Sequence, residues 1–323
     1  MSKTIIFTLQ KSGHYPYYNS ILKSYSKNAE FIYIKSVNKY NLFTTILKFR
    51  SSKAVILNTD WFVKKAPIHL VIISVFFQNT KLLIYDSNVF TSKDKRYDIY
   101  RLYLIILLKI GKSVKILTLN QVKHVSKNIE KKTVVTTDPI IPLDKAIKPK
   151  KTFKEQNYPY LLLIGTHTKR KGTFEFLMSQ CKNKLQILVV GKLIDPRLIE
   201  LKGKNESNSL NNDVKFIEKY VSDNEMHSLF YHSEAIVVPY INWLGSSGIL
   251  GHALNYNKPI IASSTGHIGS IVNEYTKGII WTGDNKIQYS LEIIEQIQRM
   301  RSNATDLLQK YFDLNTFNSN IFN

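Results

Sequence analysis

The sequence predicts an α/β protein of two Rossmann-like, doubly wound domains that face a central cleft. Its 323 residues exceed one ordinary domain and suit two domains of about 150 residues each. Hydrophobic residues make up 44% of the chain and charged residues 21%, so each half can bury a core. In both halves, short β-branched runs alternate with amphipathic stretches, a pattern typical of βαβ units on a parallel sheet.

The first half predicts six strands with helical stretches between them. Apolar runs predict strands at 4–9, 31–34, 54–57, 81–85, 114–118 and 134–136. Periodic apolar positions predict helices at 17–25, 41–49 and 97–110. Residues 68–77 fit either a buried helix or a strand.

The second half repeats this alternation after a proline-rich stretch at 139–159, which we expect to be an exposed linker. Strands are predicted at 160–164, 186–190, 214–217, 235–238 and 259–262. Helices are predicted at 173–178, 224–230, 248–255 and, as one long helix, 287–311. We therefore expect an N-terminal domain over 1–145, a C-terminal domain over 146–300, and a C-terminal helix over 301–323 that packs back on the first domain.

The charge of the chain indicates acidic partners. There are 45 Lys and Arg residues against 24 Asp and Glu residues, a net charge of +21, which favours phosphates, nucleic acid or an anionic membrane face. Nucleic-acid binding is an alternative that rests on charge alone, because the sequence has no RNA-binding aromatic motif, zinc finger or arginine-rich tract. We expect no nucleic-acid partner. The oligomeric state is left open.

Composition also bears on metals, disulfides and location. The single cysteine, Cys181, supports neither a disulfide framework nor a cysteine zinc site, and we expect it to be buried and inert. The histidines lack metal-ligand spacing and no aspartate stands two residues from another, so we expect no metal and no other cofactor. The longest apolar runs, 70–77 and 102–108, fall short of a membrane span. We expect a cytoplasmic protein that is soluble or peripheral to the membrane.

Two segments of the second half each predict an anion site. In the first, an apolar strand ends at Gly165, and a basic loop with Lys169, Arg170 and Lys171 leads to Gly172 and a helix. Cations beside free helix N–H groups attract phosphate, although a solvated basic turn is an alternative. The order Lys171-Gly172 differs from a Walker A loop.

In the second segment, a strand ends at Pro239 and the small-residue loop 245–248 opens a helix. Ser246 or Ser247 can cap this helix, and Gly248 leaves its amides open to a phosphate. The three glycines of this stretch do not form the dinucleotide fingerprint. Ordinary capping of a packed helix is the alternative.

These segments, in order, resemble the donor domain of GT-B glycosyltransferases, close to glycosyltransferase family 4. The resemblance covers about residues 160–283, and the pieces that carry it are Ile164-Gly165, 170–172, 214–217, 221–226, 229–231, 235–239, 246–254, 258–263, 266–272 and Gly278. It implies a hexosyltransferase that moves a sugar from a nucleotide-diphosphate sugar to a saccharide or lipid-linked acceptor in cell-surface glycan synthesis. It also implies donor binding on the C-terminal domain, acceptor binding on the N-terminal domain, retention of configuration, and no metal.

The resemblance also implies residue roles. Lys171, with Arg170, would neutralise the pyrophosphate, and the helix start at Ser246, Ser247 and Gly248 would hold it through backbone amides.

The sequence departs from the family pattern at two places. The family's Glu-x7-Glu carboxylates fall on Leu244 and His252, of which His252 can still bond a donor hydroxyl. A GT-B module that binds the donor without catalysis is therefore an alternative.

The loop after Gly165 departs from the family too, because Thr166-His167-Thr168 stands where an arginine is common. Thr166 joins Gly165 as a candidate donor contact. Tyr240 and Trp243 either line the donor pocket or belong to the core.

The first half supplies the candidate catalytic residues. His14 follows Gly13 after the first strand and would contact the donor sugar or the acceptor, or else lie exposed in a loop. Asp86 ends an apolar strand, where α/β sheets bind ligands, and would orient or deprotonate an acceptor hydroxyl or cap a turn. Asp60 and Trp61 have a similar but weaker claim.

Residues 97–115 combine an apolar centre with the basic residues Arg101, Lys109, Lys112 and Lys115. Such a stretch can rest on an anionic bilayer and meet a lipid-linked acceptor. The alternative is a core helix with a solvated face.

Overall fold

A computed structural model describes most of the chain: residues 3–8, 15–33, 44, 47–49, 52–85, 88–91, 95–111, 113–119, 126–140, 148–179, 185–206, 214–283 and 290–323. The structure divides into two compact units. The N-terminal unit comprises Met1–Pro139 and Asp313–Asn323, and the C-terminal unit comprises Ile140–Phe312.

The N-terminal unit is built on a six-stranded sheet. Its strands are β1 Thr4–Thr8, β2 Ala29–Tyr33, β3 Lys53–Ile56, β4 Asn79–Ile84, β5 Val114–Thr118 and β6 Thr133–Val135. Its helices are α1 Tyr15–Tyr25, α2 Thr59–Lys65, α3 Pro67–Phe76, α4 Asn88–Thr91, α5 Arg96–Ile110 and α6 Lys127–Lys131. The strand order is β2-β1-β3-β4-β5-β6, and each pair of neighbours is parallel.

The C-terminal unit has a second six-stranded sheet. Its strands are β7 Tyr160–Ile164, β8 Gln186–Val190, β9 Val214–Ile217, β10 Ala235–Val238, β11 Ile260–Ser263 and β12 Gly278–Trp281. Its helices are α7 Thr173–Ser179, α8 Pro196–Glu206, α9 Asp223–His232, α10 Gly248–Asn255, α11 Gly266–Glu274, α12 Leu291–Gln298 and α13 Ala304–Phe312, with 3-10 turns at Lys154–Asn157 and Lys169–Lys171. The last helix, α14 Leu314–Phe322, belongs to the N-terminal unit.

The predicted α/β class with two Rossmann-like parallel sheets is confirmed. The central strands are apolar at nearly every position because helices cover both faces of a parallel sheet. In β7, Leu162 packs in one hydrophobic cluster while Leu161 and Leu163 pack in the other, as the two-residue period of a strand requires. In the N-terminal unit, β1 is buried along its whole length.

The strand order of the second sheet, β12-β11-β10-β7-β8-β9, determines where a ligand can bind. From β7 the chain continues to β8 and β9 on one side of β7, whereas β10, β11 and β12 lie on its other side. The order reverses between β7 and β10, and ligands of open α/β sheets bind at the carboxyl ends of the strands at such a switch point. The loops after β7 and β10 are therefore the place to look for the site.

The single long helix predicted over 287–311 is wrong in the described part, where α12 ends at Gln298 and α13 begins at Ala304. Polar side chains between them bond backbone groups instead of continuing the helix. Ser302 Oγ accepts from the Ala304 amide at 3.1 Å, and Asn303 Oδ1 accepts from the Thr276 amide at 3.1 Å. Strand β12 and helices α2, α4, α6, α8 and α11 were not predicted. The described residues include no helix with the length and apolar character needed to cross a bilayer.

The proline-rich stretch at 139–159 is not simply an exposed linker. Gln156 is buried, and its Oε1 accepts from the amides of Thr152 at 2.6 Å and Phe153 at 2.9 Å. Its Nε2 donates to Ser228 Oγ on α9 at 3.0 Å. One glutamine side chain therefore fixes this segment to the C-terminal unit.

We expect Gln156→Ala to lower the free energy of unfolding by about 2–4 kcal/mol, because buried amides and a hydroxyl lose their partners. Asn157→Ala, at the exposed neighbouring position, is the matched control and should change it by less than about 0.5 kcal/mol. Urea unfolding of both variants measures the difference. Equal stability of the two variants would show that the Gln156 network contributes nothing.

Candidate functional site

The loops after β7 and β10 meet at the switch point of the second sheet. The 3-10 turn Lys169–Lys171 ends at Gly172, whose φ is +64°. A Cβ at this position would overlap the carbonyl oxygen of Pro239, so only glycine allows the two loops to approach this closely. The Ile241 amide also donates to the Arg170 carbonyl at 2.9 Å. The basic loop is thus attached to the end of β10.

Tyr240 links the two predicted anion sites. Lys171 Nζ donates a hydrogen bond to Tyr240 Oη and lies 3.8 Å from the centroid of the Tyr240 ring. The same hydroxyl shares a hydrogen bond with Ser247 Oγ at 3.0 Å. Tyr240 and Ser247 are buried. The structure therefore brings three of the predicted donor residues, Lys171, Tyr240 and Ser247, into one polar cluster.

Helix α10 begins beside this cluster without a side-chain cap. Ser247 occupies the N-cap position but makes no capping hydrogen bond, because its hydroxyl is bonded to Tyr240. The first-turn amides of a helix have no intrahelical partners, and they carry partial positive charge. A Cβ at Gly248 would meet no atom within 4 Å, so open space lies next to this helix start.

Arg170 and Ser246 flank the cluster. The Arg170 guanidinium lies 3.9 Å from the centroid of the Trp243 ring, a stacking contact that holds an exposed cation in place. Trp243 Nε1 donates to the Ser246 carbonyl at 3.0 Å. The Ser246 Oγ atom is buried and has no hydrogen-bond partner among the described residues. A ligand oxygen would satisfy it.

A second helix start, that of α11, adjoins the first and was not among the predicted site residues. Gly266 has a φ of +66°, and a Cβ there would stand 2.6 Å from Leu244 Cα. The His267 amide donates to the Leu244 carbonyl at 3.3 Å. Thr265 at the N-cap makes no side-chain capping bond. The sequence signal for this site was the piece 266–272, which carries part of the family resemblance but was assigned no role there.

The buried side chain of His167 anchors the loop that follows β7. Its side chain is 3% exposed, and Nε2 lies 3.0 Å from the Val190 carbonyl oxygen. A carbonyl only accepts, so Nε2 carries the proton and Nδ1 accepts from Thr173 Oγ1 at 2.9 Å. Burial, with a smaller effect of the Lys171 charge, lowers the pKa of His167 to about 4. The imidazole is therefore neutral at pH 7.

The remaining predicted residues lie apart from these contacts or outside the described residues. Gly165 directly follows β7 and has a φ of +124° and open space where a Cβ would stand, and Thr166 is exposed beside it. The His252 ring packs against that of Phe230, 5.7 Å between centroids. In the N-terminal unit, Asp60 accepts from Tyr100 Oη at 2.8 Å.

Three predicted residues fall on parts of the chain that the structure does not describe: Gly13, His14 and Asp86. Cys181 lies outside the described residues as well. Their predicted roles stay predictions. Within the described ranges, no three His, Cys, Asp or Glu side chains form a group that could hold a metal ion.

The fold is similar to those of solved glycosyltransferases. The Anabaena protein Alr3699/HepE, in complex with UDP and glucose, superposes with a TM-score of 0.69 at 13% identity, covering 99% of this chain and 98% of that one. A glycosyltransferase from Rickettsia africae ESF-5 gives 0.68 at 15% identity, with 99% and 96% covered. Sucrose-phosphate synthase from Thermosynechococcus elongatus gives 0.64 at 13% identity, with 99% and 97% covered.

A comparison with curated protein sequences gives no match. The family model for glycosyl transferases group 1, in contrast, matches residues 144–307. This range contains both loops of the switch point and the starts of α10 and α11. The chain therefore belongs to the glycosyl transferases group 1 family and is a glycosyltransferase of the GT-B fold.

Proposed function

We propose that this enzyme transfers a hexose from a uridine-diphosphate sugar to a saccharide or lipid-linked acceptor during synthesis of a cell-surface glycan. The proposal includes membership of glycosyltransferase family 4, retention of anomeric configuration, and a metal-independent site. It also includes a cytoplasmic location, peripheral to the inner face of the membrane. The observation that carries it is the Lys171–Tyr240–Ser247 cluster beside the uncapped start of α10.

This cluster suits a departing nucleoside diphosphate. When the bond between the anomeric carbon and the phosphate oxygen breaks, negative charge grows on the terminal phosphate. The Lys171 ammonium and the α10 amides present positive charge that is already oriented, so little reorganisation is needed in the transition state. Ser246 Oγ offers a further donor. Lysine and helix amides together can do what a divalent cation does in other transferases, which supports a metal-independent site.

The uridine base is proposed from the likeness to HepE, which has been solved with UDP and with UDP-glucose. The acceptor side rests on sequence alone. We propose that Asp86 orients or deprotonates the acceptor hydroxyl and that Gly13 and His14 contact the reacting sugar. His252 would bond a donor hydroxyl in place of the family's glutamate.

The neutral His167 is proposed to position the basic loop. Its side chain joins β8 to the start of α7. Its backbone amide donates to the Lys192 carbonyl at 2.8 Å, and its carbonyl accepts from Ile194 at 2.9 Å. Because the loop carrying Lys171 lies between these anchors, its position depends on an uncharged imidazole.

We expect a panel of nucleotide sugars to raise the melting temperature only when uridine diphosphate is present. We expect Lys171→Met to weaken UDP binding at least tenfold, because a charge-assisted contact to phosphate is lost. Isothermal titration calorimetry measures the binding, and transfer or hydrolysis of the same sugars, with and without a chelator, measures catalysis.

Lys169→Met is the matched control, since Lys169 is an exposed member of the same turn. If both variants bound UDP as tightly as the parent, the pyrophosphate site would lie elsewhere. Tight UDP-sugar binding without transfer or hydrolysis would indicate a binding module instead of an active enzyme.

We expect Gly248→Ala to keep or slightly raise stability while weakening UDP binding several-fold. Alanine favours a helix over glycine by roughly 0.5–1 kcal/mol, but its methyl group enters the open space beside α10. Gly203→Ala in α8, also with no atom within 4 Å of its Cβ position, is the control. It should gain similar stability and bind UDP normally. Unchanged UDP affinity in Gly248→Ala would exclude close contact of the phosphate with this helix start.

We expect His167 to make the fold sensitive to acid. Its pKa is about 4 in the folded chain and about 6.5 unfolded, so the unfolded state binds the extra proton between these values and stability falls as pH drops. The contribution lost between pH 7.5 and 4.5 is roughly 2–3 kcal/mol.

His167→Gln should therefore lose roughly 2–3 kcal/mol less than the parent over that interval in urea unfolding. Asn157→Ala, which changes an exposed residue that does not titrate, serves as control and should keep the parent slope. If the free energy of unfolding of His167→Gln fell with pH as steeply as that of the parent, His167 would not be neutral in the folded chain.

A further inference from the structure

Helix α5 exposes an apolar stripe in the N-terminal unit. Ile99 is 75% exposed, Leu102 59% and Ile106 41%, and Ile110 continues the series. Their spacings of three and four residues place them on one face of the helix. The opposite face, with Leu104 and Leu107, is buried in the core. The stripe is therefore additional to the face that packs on the sheet.

Helix α3 extends this surface. Tyr103 Oη donates to the Pro67 carbonyl, which places the start of α3 beside the middle of α5. Ile68, the next residue, is 71% exposed, and Phe76 at the other end of α3 is also exposed. We use the term apolar ridge for Ile68, Phe76, Ile99, Leu102, Ile106 and Ile110. Exposed apolar side chains gathered on two neighbouring helices in this way usually mark a contact site.

Basic side chains flank the apolar ridge. Lys64 and Lys65 are exposed in the last turn of α2, two residues before α3 begins. Lys109 is exposed in the last turn of α5. The nearby carboxylate of Asp98 is paired with Arg101 at 3.1 Å. The three lysines therefore leave a positive field around the ridge.

We propose that the apolar ridge rests on an anionic bilayer surface, with its side chains at the boundary of headgroups and acyl chains and its lysines among the phosphates. Apolar side chains on one face beside lysines are the chemistry of interfacial helices. A second copy of this chain is a poorer occupant, because it would bring like-charged lysines together on a protein of net charge +21.

The inference rests on the peripheral location proposed above and assigns the surface responsible for it. It also narrows the acceptor class. An acceptor presented at such a surface is an amphiphile, with a saccharide or phosphate head and an apolar chain that remains in the bilayer.

The test is co-sedimentation of the full chain with phosphatidylcholine vesicles that contain about one-third phosphatidylglycerol, against pure phosphatidylcholine vesicles. We expect binding to the anionic vesicles and little to the neutral ones. Ile99→Ser/Leu102→Ser should lower the partition coefficient at least tenfold. Ile199→Ser on α8, which removes an exposed isoleucine from the C-terminal unit, is the control and should bind like the parent.

The charge is tested separately. Lys64→Glu/Lys65→Glu should lower binding to anionic vesicles at least tenfold, since each lysine near such a surface contributes roughly a fivefold factor. Lys150→Glu/Lys151→Glu makes the same change at an exposed pair in the C-terminal unit and should have a much smaller effect.

Parent-like binding by Ile99→Ser/Leu102→Ser, or no binding of the parent to anionic vesicles, would overturn the proposal. So would a dimer in sedimentation equilibrium that this double variant dissociates, because a second copy would then cover the ridge. UDP titration of each variant separates the membrane surface from the proposed function. Loss of vesicle binding with intact UDP binding counts against the membrane surface alone, and loss of UDP binding with intact vesicle binding counts against the donor site alone.

Discussion

The proposed donor site depends on the close approach of two loops at the switch point of the second sheet. Gly172 packs on the carbonyl of Pro239 where a side chain would not fit, and the Ile241 amide bonds the Arg170 carbonyl. Without this approach, Lys171 would not reach Tyr240, and Tyr240 would not connect it to Ser247. Ser247 would then be free to cap α10 and occupy the amides that a phosphate needs. A backbone contact thus determines the electrostatics of the site.

Two buried polar side chains, Tyr240 and His167, hold the two loops in place. Tyr240 bonds a cation, whereas His167 acts as an uncharged group. Tyr240 accepts a hydrogen bond from Lys171, which holds the ammonium in one orientation. His167 is bonded as a neutral imidazole between Val190 and Thr173, so it adds no positive charge next to Lys171. A second cation inside the loop would repel the first at low effective dielectric. The loop therefore concentrates its positive charge on the side where Lys171 and Arg170 lie.

Every strand except β12 was predictable from the sequence because most strands contain a short apolar run. The polar contacts were not, because they join positions far apart in the chain. Lys171 and Tyr240 each looked like a donor contact, yet nothing local indicated that they bond each other. Gln156 lay in a proline-rich stretch that resembles a linker, and its burial depends on Ser228. The break between α12 and α13 arises from Asn303, which bonds Thr276 instead of its own helix.

The large positive charge has two distinct proposed roles. At the proposed donor site, the Lys171 ammonium is fixed against the buried Tyr240, and its effect depends on geometry within a few ångströms. At the apolar ridge, exposed lysines act through a field that salt screens over about 8–10 Å, and no one of them needs a fixed position. Lysine suits the second role because its flexible stem lets the ammonium reach varied headgroups. Lysine suits the proposed donor site only because the hydrogen bond to Tyr240 restricts this flexible stem.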